Sequence, residues 1–183
     1  MKVEVSHVLP HPRERVWDAL LDPAVLARVM PGVEKFEEVG PEKYAVAMKL
    51  GVPAVRGSYT GSVEIVDKAP PESYRLRGEG KGGPGWAKGE VLFKLVPEDS
   101  GTRVIASGQA QIGGTIAGVG QRMMEGVAKA MAREFFESID RELQGRQQKV
   151  TAVGFGFRLV IGIVWSWIRR LFGRREATGS AGV

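Results

Sequence analysis

From residue 43 to residue 112 the apolar and small residues fall on every second position. Tyr44, Val46, Met48 and Leu50 alternate with Ala45, Ala47 and Lys49. The same beat runs through Val55, Gly57, Tyr59, Gly61, Val63 and Ile65, then Tyr74, Leu76, Gly78 and Gly80. It continues in Ala87, Gly89, Val91, Phe93 and Leu95, and in Val104, Ala106, Gly108, Ala110 and Ile112. A period of two puts one set of side chains on one face of a strand. Gly40-Pro41, Ala69-Pro70-Pro71, Gly82-Gly83-Pro84-Gly85 and Asp99-Ser100-Gly101 break the runs. Consecutive strands joined by such turns predict an antiparallel meander with one wet and one buried face.

The flanking segments complete the class. Residues 2–9 alternate and read as a first strand. Pro12 suits the first turn of a helix, where its missing N–H costs nothing, and Val16, Trp17, Leu20 and Leu21 follow at helical spacing. Asp22-Pro23 restarts the chain into a second short helix with Val25, Leu26 and Val29, which Pro31-Gly32 ends. After Gly113-Gly114-Thr115 the period becomes helical: Ile116, Val119, Met123, Val127, Met131, Phe135, Ile139 and Leu143 form one stripe. The expectation is an α+β domain over residues 1–144, a curved antiparallel sheet of about seven strands around a long C-terminal helix.

The inward face of that sheet is unusually small. Gly57, Gly61, Gly78, Gly80, Ala87, Gly89, Ala106, Gly108 and Ala110 all fall on it. Such residues cannot fill the space under a bent sheet, and native interiors tolerate few voids. The predicted consequence is an internal apolar cavity, faced by a helix whose methionines adapt to variable shapes. Its walls are expected to include Met48, Tyr59, Gly61, Tyr74, Gly78, Gly89, Phe93, Ala106 and Gly108 from the sheet. Met123, Met124, Val127 and Met131 are expected from the helix, with Trp86 at the mouth.

Catalytic chemistry has little to stand on. With no cysteine, thiolate nucleophiles, thiolate metal sites and disulfides are excluded. The histidines are His7 and His11, and His11 between two prolines reads as a cap or turn. Gly78-Glu79-Gly80-Lys81-Gly82-Gly83 ends a strand and does not lead into a helix, so it is not read as a phosphate loop. We therefore expect a binding protein and no enzyme, with no catalytic residue, no metal site and no covalent cofactor.

Charge separates the body from the tail. Arg146, Lys149, Arg158, Arg169, Arg170, Arg174 and Arg175 against Glu176 give residues 145–183 a balance of +6, out of +5 for the whole chain. The body is then close to neutral, which argues against a nucleic-acid-binding face. Residues 145–153 read as a linker and residues 176–183 as disordered. Residues 154–175 read as an amphipathic or membrane-anchoring helix: Phe155, Phe157, Leu159, Ile161, Trp165 and Trp167 are flanked by Arg169, Arg170, Arg174 and Arg175. Val150–Ile168 is marginal as a span, with Arg158 and three glycines inside it. Tryptophans at headgroup level with arginines beyond them suit an anionic interface. Met1-Lys2-Val3-Glu4-Val5 has no apolar leader core, so a cytoplasmic protein held at the inner face of the membrane is expected.

Several motifs resemble the CoxG family, the G subunit of carbon monoxide dehydrogenase, a branch of the START-like SRPBCC superfamily. Pro12-Arg13-Glu14-Arg15-Val16-Trp17-Asp18-Ala19-Leu20 followed by Asp22-Pro23 is similar to its opening helix. Met30-Pro31-Gly32-Val33-Glu34 resembles its Pro-Gly-Val turn. Pro71-Glu72-Ser73-Tyr74-Arg75-Leu76 and Gly78-Glu79-Gly80 resemble its middle strands. Gly85-Trp86-Ala87-Lys88-Gly89 resembles its Gly-Phe-Ala-Lys-Gly hairpin, with tryptophan as the aromatic. Gly113-Gly114-Thr115-Ile116-Ala117-Gly118-Val119-Gly120 and Phe135-Phe136 resemble the start and end of its long helix. One departure is Val52, which separates Gly51 from Pro53 where the family often has Gly-Pro. The resemblance implies a helix-grip fold and a molybdenum hydroxylase of the carbon monoxide dehydrogenase type as partner. It also implies recruitment of that enzyme to the cytoplasmic membrane, and a bound lipophile, either a quinone (menaquinone or ubiquinone) or a lipid, that links the enzyme to the respiratory quinone pool. The alternative it leaves open is an assembly or maturation factor that transports no ligand.

Overall fold

The alternating runs form seven antiparallel strands in one sheet, ordered β1-β7-β6-β5-β4-β3-β2. The strands are β1 (Lys2–Leu9), β2 (Val33–Gly40), β3 (Lys43–Leu50), β4 (Gly57–Ala69), β5 (Ser73–Gly82), β6 (Gly85–Glu98) and β7 (Gly101–Gly114). This is a computed structural model, which describes residues 1–145 apart from the Ala54 side chain. From β2 to β7 each strand pairs with the next, and β1 closes on β7 with Val5 opposite Ala106. Helices α1 (Arg13–Leu21) and α2 (Pro23–Val29) carry the chain from one edge of the sheet to the other.

The local starts follow elementary rules. Asp22 Oδ1 accepts from the Ala24 and Val25 amides at 2.8 and 3.3 Å, and Pro23 sits in the first turn of α2. Such a cap contributes about 1 kcal/mol. β4 begins at Gly57, two residues later than the Val55 alternation suggests. Pro53–Val55 instead form a 3-10 turn, because Pro53 has no N–H for a strand ladder. The Tyr59 hydroxyl donates to the Val55 carbonyl at 2.8 Å and holds that turn down.

The long helix, α3, occupies residues 121–145 and not the whole stretch from Ile116. Thr115–Val119 form a separate 3-10 turn, and Gly120, at φ +93°, breaks the path between them. A side chain at that φ is disfavoured, so the break is written into Gly120. α3 runs to Gly145, the last described residue and the first of the stretch read as a linker.

The interior is filled at one end and sparse at the other. Along β5 the inward residues run Tyr74, Leu76, Gly78, Gly80, and β6 shrinks in the same direction through Phe93, Val91, Gly89 and Ala87; β7 is small at Ala106, Gly108 and Ala110 and ends on Ile112. At the filled end Trp17 meets Tyr74 edge-on at 5.6 Å, and Tyr74 stacks on Phe93 at 4.9 Å. Phe136, Ile139 and Leu143 from the second half of α3 are buried against this cluster. The same half is pinned by polar contacts. His11 Nε2 meets Asp140 at 2.9 Å, Arg28 meets Glu142 at 2.6 Å, and Arg15 donates to the Leu143 carbonyl at 3.3 Å. Residues 121–132 make no polar contact to the sheet among the described residues.

Candidate functional site

Where the inward residues shrink, an apolar hollow separates the sheet from the first half of α3. One chamber measures about 460 Å³ and a second, toward the β5–β6 turn, about 350 Å³. They share Met1, Met30, Met48, Val63, Gly78, Gly89, Ala110, Ala128 and Met131 as walls, so they adjoin. Phe36, Tyr44, Tyr74, Leu76, Phe93 and Phe135 line the first. Val46, Val55, Tyr59, Ile116, Met124 and Val127 line the second. Sites for small lipophilic molecules fall in this size range and have mostly apolar walls.

Of the residues expected at a cavity, Met48, Tyr74, Gly78, Gly89, Phe93, Ala106, Gly108 and Met131 line the first chamber. Tyr59, Gly61, Met124 and Val127 line the second. Two lie elsewhere. Trp86 is 46% exposed and its ring lies over Gly113, its partner across β6–β7. Its parity is that of Lys88 and Glu90, which is the outer face. Met123 is 54% exposed. The inward positions of α3 are 124, 127, 128, 131 and 132; each step of four drifts by about 40°, so Met123 falls off that face.

The glycines differ in what they do. A Cβ on Gly61 would collide with the Glu79 carbonyl oxygen of β5, so Gly61 is required by the close approach of β4 to β5. A Cβ on Gly78 would meet nothing closer than the Ser62 carbonyl at 3.6 Å, an ordinary contact. Gly78 therefore leaves room in the hollow without being needed by the backbone.

Met1, Met30 and Ala128 are wall residues that sequence reasoning misses. Met1 continues β1, since its carbonyl accepts from the Ala110 amide at 2.9 Å. Ala128 follows Met124 by one helical turn, a spacing that marks the same face once the start at 121 is known. The contact of His11 with Asp140 is missed too. His11 is 3% exposed, and its Nδ1 is buried with no hydrogen-bond partner among the described residues. His7, on the preceding strand, stacks on Phe136 at 5.5 Å. Both histidines thus serve the seam between β1 and α3. Burial pushes the Tyr74 hydroxyl well above the ordinary tyrosine range, so it stays neutral at any physiological pH. Among the described residues no three His, Asp or Glu side chains converge as metal ligands, and no helix is long and apolar enough to cross a membrane. The expected membrane-binding residues, Phe155 to Arg175, lie outside the described residues.

The comparisons agree with this geometry. Residues 6–144 match the family model of CoxG, the G subunit of carbon monoxide dehydrogenase. A conserved protein from Geobacillus kaustophilus, of solved structure, is 35% identical over 79% of this chain and 96% of its own, with a TM-score of 0.77. A Thermus thermophilus protein is 17% identical over 80% of this chain and 99% of its own, with a TM-score of 0.61. The Zhui aromatase/cyclase from Streptomyces sp. R1128 is 19% identical over 80% and 94%, with a TM-score of 0.59. The last two share the helix-grip fold. No curated protein matches the chain.

Proposed function

Because the chain belongs to the CoxG family of carbon monoxide dehydrogenase, we propose that it carries a lipophilic molecule, a respiratory quinone, between a molybdenum carbon monoxide dehydrogenase-type enzyme and the cytoplasmic membrane. The observation that carries this reading is the pair of adjoining apolar chambers under a sheet whose inward side chains shrink to glycine and alanine. An isoprenoid chain gains burial there at roughly 25 cal/mol per Å² of apolar surface removed from water. Met30, Met48, Met124 and Met131 supply flexible walls. The first half of α3, without polar ties to the sheet among the described residues, is the element that yields to admit the chain. In this reading the protein is a carrier and no enzyme, and the basic, tryptophan-bearing tail keeps it beside the bilayer.

The test is to purify the full-length protein from its native membranes and read its organic extract by mass spectrometry. The expected result is a stoichiometric quinone in the wild type that is lost in Gly78→Leu and Ala110→Leu, which fill the hollow. An empty extract, together with no saturable binding of added quinone, overturns the carrier reading and moves the weight to assembly or docking of the dehydrogenase.

A further inference from the structure

The strand order brings four segments to one end of the sheet: residues 30–32, 50–57, 82–86 and 113–121. Hydrogen bonds knit two of them together. Ile116 N donates to the Pro84 carbonyl at 3.1 Å and the Thr115 hydroxyl donates to the same oxygen at 2.6 Å. Across all four segments Arg56 is the sole charged residue, in a chain that is 26% charged. Val52, Trp86 and Met123 are 39%, 46% and 54% exposed at or beside this end. Val55 and Ile116, from the two 3-10 turns there, are buried and form walls of the second chamber. This end is therefore the chamber's cover, and its outer surface is apolar.

The charges behind the tip are as uneven as the tip itself. Lys49, Arg56, Lys81, Lys88 and Arg122 are exposed, and none is in an ion pair among the described residues. The carboxylates on the same stretches are Glu34, Glu79 and Glu125, and Glu125 accepts from Gln121 at 2.8 Å. At the filled end ion pairs are frequent: Arg28 with Glu142, Lys68 with Glu42, Arg75 with Asp67 and Arg103 with Glu98, while Lys43 and Lys94 there are in no ion pair among the described residues. Protein interfaces are depleted in lysine. A tip whose single charge is the cationic Arg56, bearing an exposed tryptophan and bordered by Lys49, Lys81, Lys88 and Arg122, is complementary to an anionic bilayer, with the indole at headgroup level.

We propose that the body itself docks on anionic phospholipid through this charge-poor end, seating Val52, Trp86 and Met123 in the interface so that the second chamber faces the lipid. The consequence for cargo rests on the carrier reading above; the docking does not. The body then touches the membrane at a site separate in sequence from residues 154–175, and tethering and loading are distinct acts.

The experiment uses the full chain with Trp165→Phe and Trp167→Phe, leaving Trp17, which is buried, and Trp86 as reporters. The protein is mixed with phosphatidylcholine–phosphatidylglycerol vesicles carrying brominated acyl chains, which quench indoles at the interface. The expected result is loss of most of the Trp86 emission, absent when Trp86→Phe is added, and reversed by salt as the Debye length shortens. Lys81→Gln with Lys88→Gln, both at exposed positions that leave the fold intact, weaken it. If the protein sediments with the vesicles through its tail while Trp86 stays unquenched, the proposal is overturned. It is equally overturned if Trp86 is shielded only when the dehydrogenase is added, since the end is then a protein interface. Quinone in the extract reads the carrier function separately, so either idea can fail while the other stands.

Discussion

If the hollow is real free volume, adding atoms to it stabilises the protein, whereas adding the same atoms to the filled end does the reverse. Ala128 lies on α3 and lines both chambers. Ala128→Leu adds three carbons on a helix position that leucine tolerates well. At about 0.8 kcal/mol per buried methylene the ceiling is about 2.4 kcal/mol; because Ala128 is half-buried, about 1–2 kcal/mol is expected. Ala19, fully buried in the filled core, is the control. Ala19→Leu forces overpacking and costs about 1–3 kcal/mol. Urea titration of delipidated protein measures both. The midpoint rises for Ala128→Leu and falls for Ala19→Leu, with an unchanged slope in each. Excess lipophile at about 100 times its dissociation constant adds about 2.7 kcal/mol to the wild type and much less to Ala128→Leu. A fall in midpoint for Ala128→Leu as large as that for Ala19→Leu would refute the reasoning, since it would mean that no usable space exists beside Ala128.

Three further outcomes follow from the packing. Tyr74 keeps its proton in the fold, with its pKa raised by burial, while an unfolded tyrosine ionises near pH 10. Its contribution is therefore complete below about pH 10 and is lost above it, by about 1.4 kcal/mol per pH unit; urea midpoints from about pH 9 to 11.5 should fall more steeply for the wild type than for Tyr74→Phe. Asp140→Ala removes the partner of a histidine whose other ring nitrogen already lacks one, and should cost about 1–3 kcal/mol in chemical unfolding. Gly61→Ala should cost about 1–3 kcal/mol because its methyl meets the Glu79 carbonyl, while Gly78→Ala should fall within about 0.5 kcal/mol of wild type; equal midpoints for the two would show that β4 and β5 are not held as described.

What the sequence reveals here is mostly parity. The alternation in β3 to β7 places Tyr74, Phe93 and Ala106 on the inward face, and the ladder pairs confirm that register residue by residue. The shrinkage from Tyr74 to Gly80 is likewise visible without coordinates. Nearness to a turn suggests a mouth position for Trp86, although its parity with Lys88 already points outward. Met123 is misplaced because steps of four drift by about 40° each on a helix of 3.6 residues per turn, which puts Met123 about 80° around α3 from Met131. His11 and Asp140 are 129 positions apart, and no local pattern joins them. Gly61 and Gly78 look identical in sequence, yet one is required by a neighbouring strand and the other is not.

The uneven fastening of α3 turns the helix into a lever. Its second half is clamped by His11, Arg15 and Arg28, while residues 121–132 rest on the hollow. At 1.5 Å per residue that free arm is roughly 18 Å long, so a tilt of about 10° moves its tip by about 3 Å. Any cargo that props the arm up is thereby converted into a displacement at residue 121, beside the turn that covers the second chamber. Spin labels at Arg122 and Lys94 would read that displacement as a change in distance on loading, and an unchanged distance would show a rigid arm. On the carrier reading proposed above, a molecule built this way would display from outside whether it is full or empty.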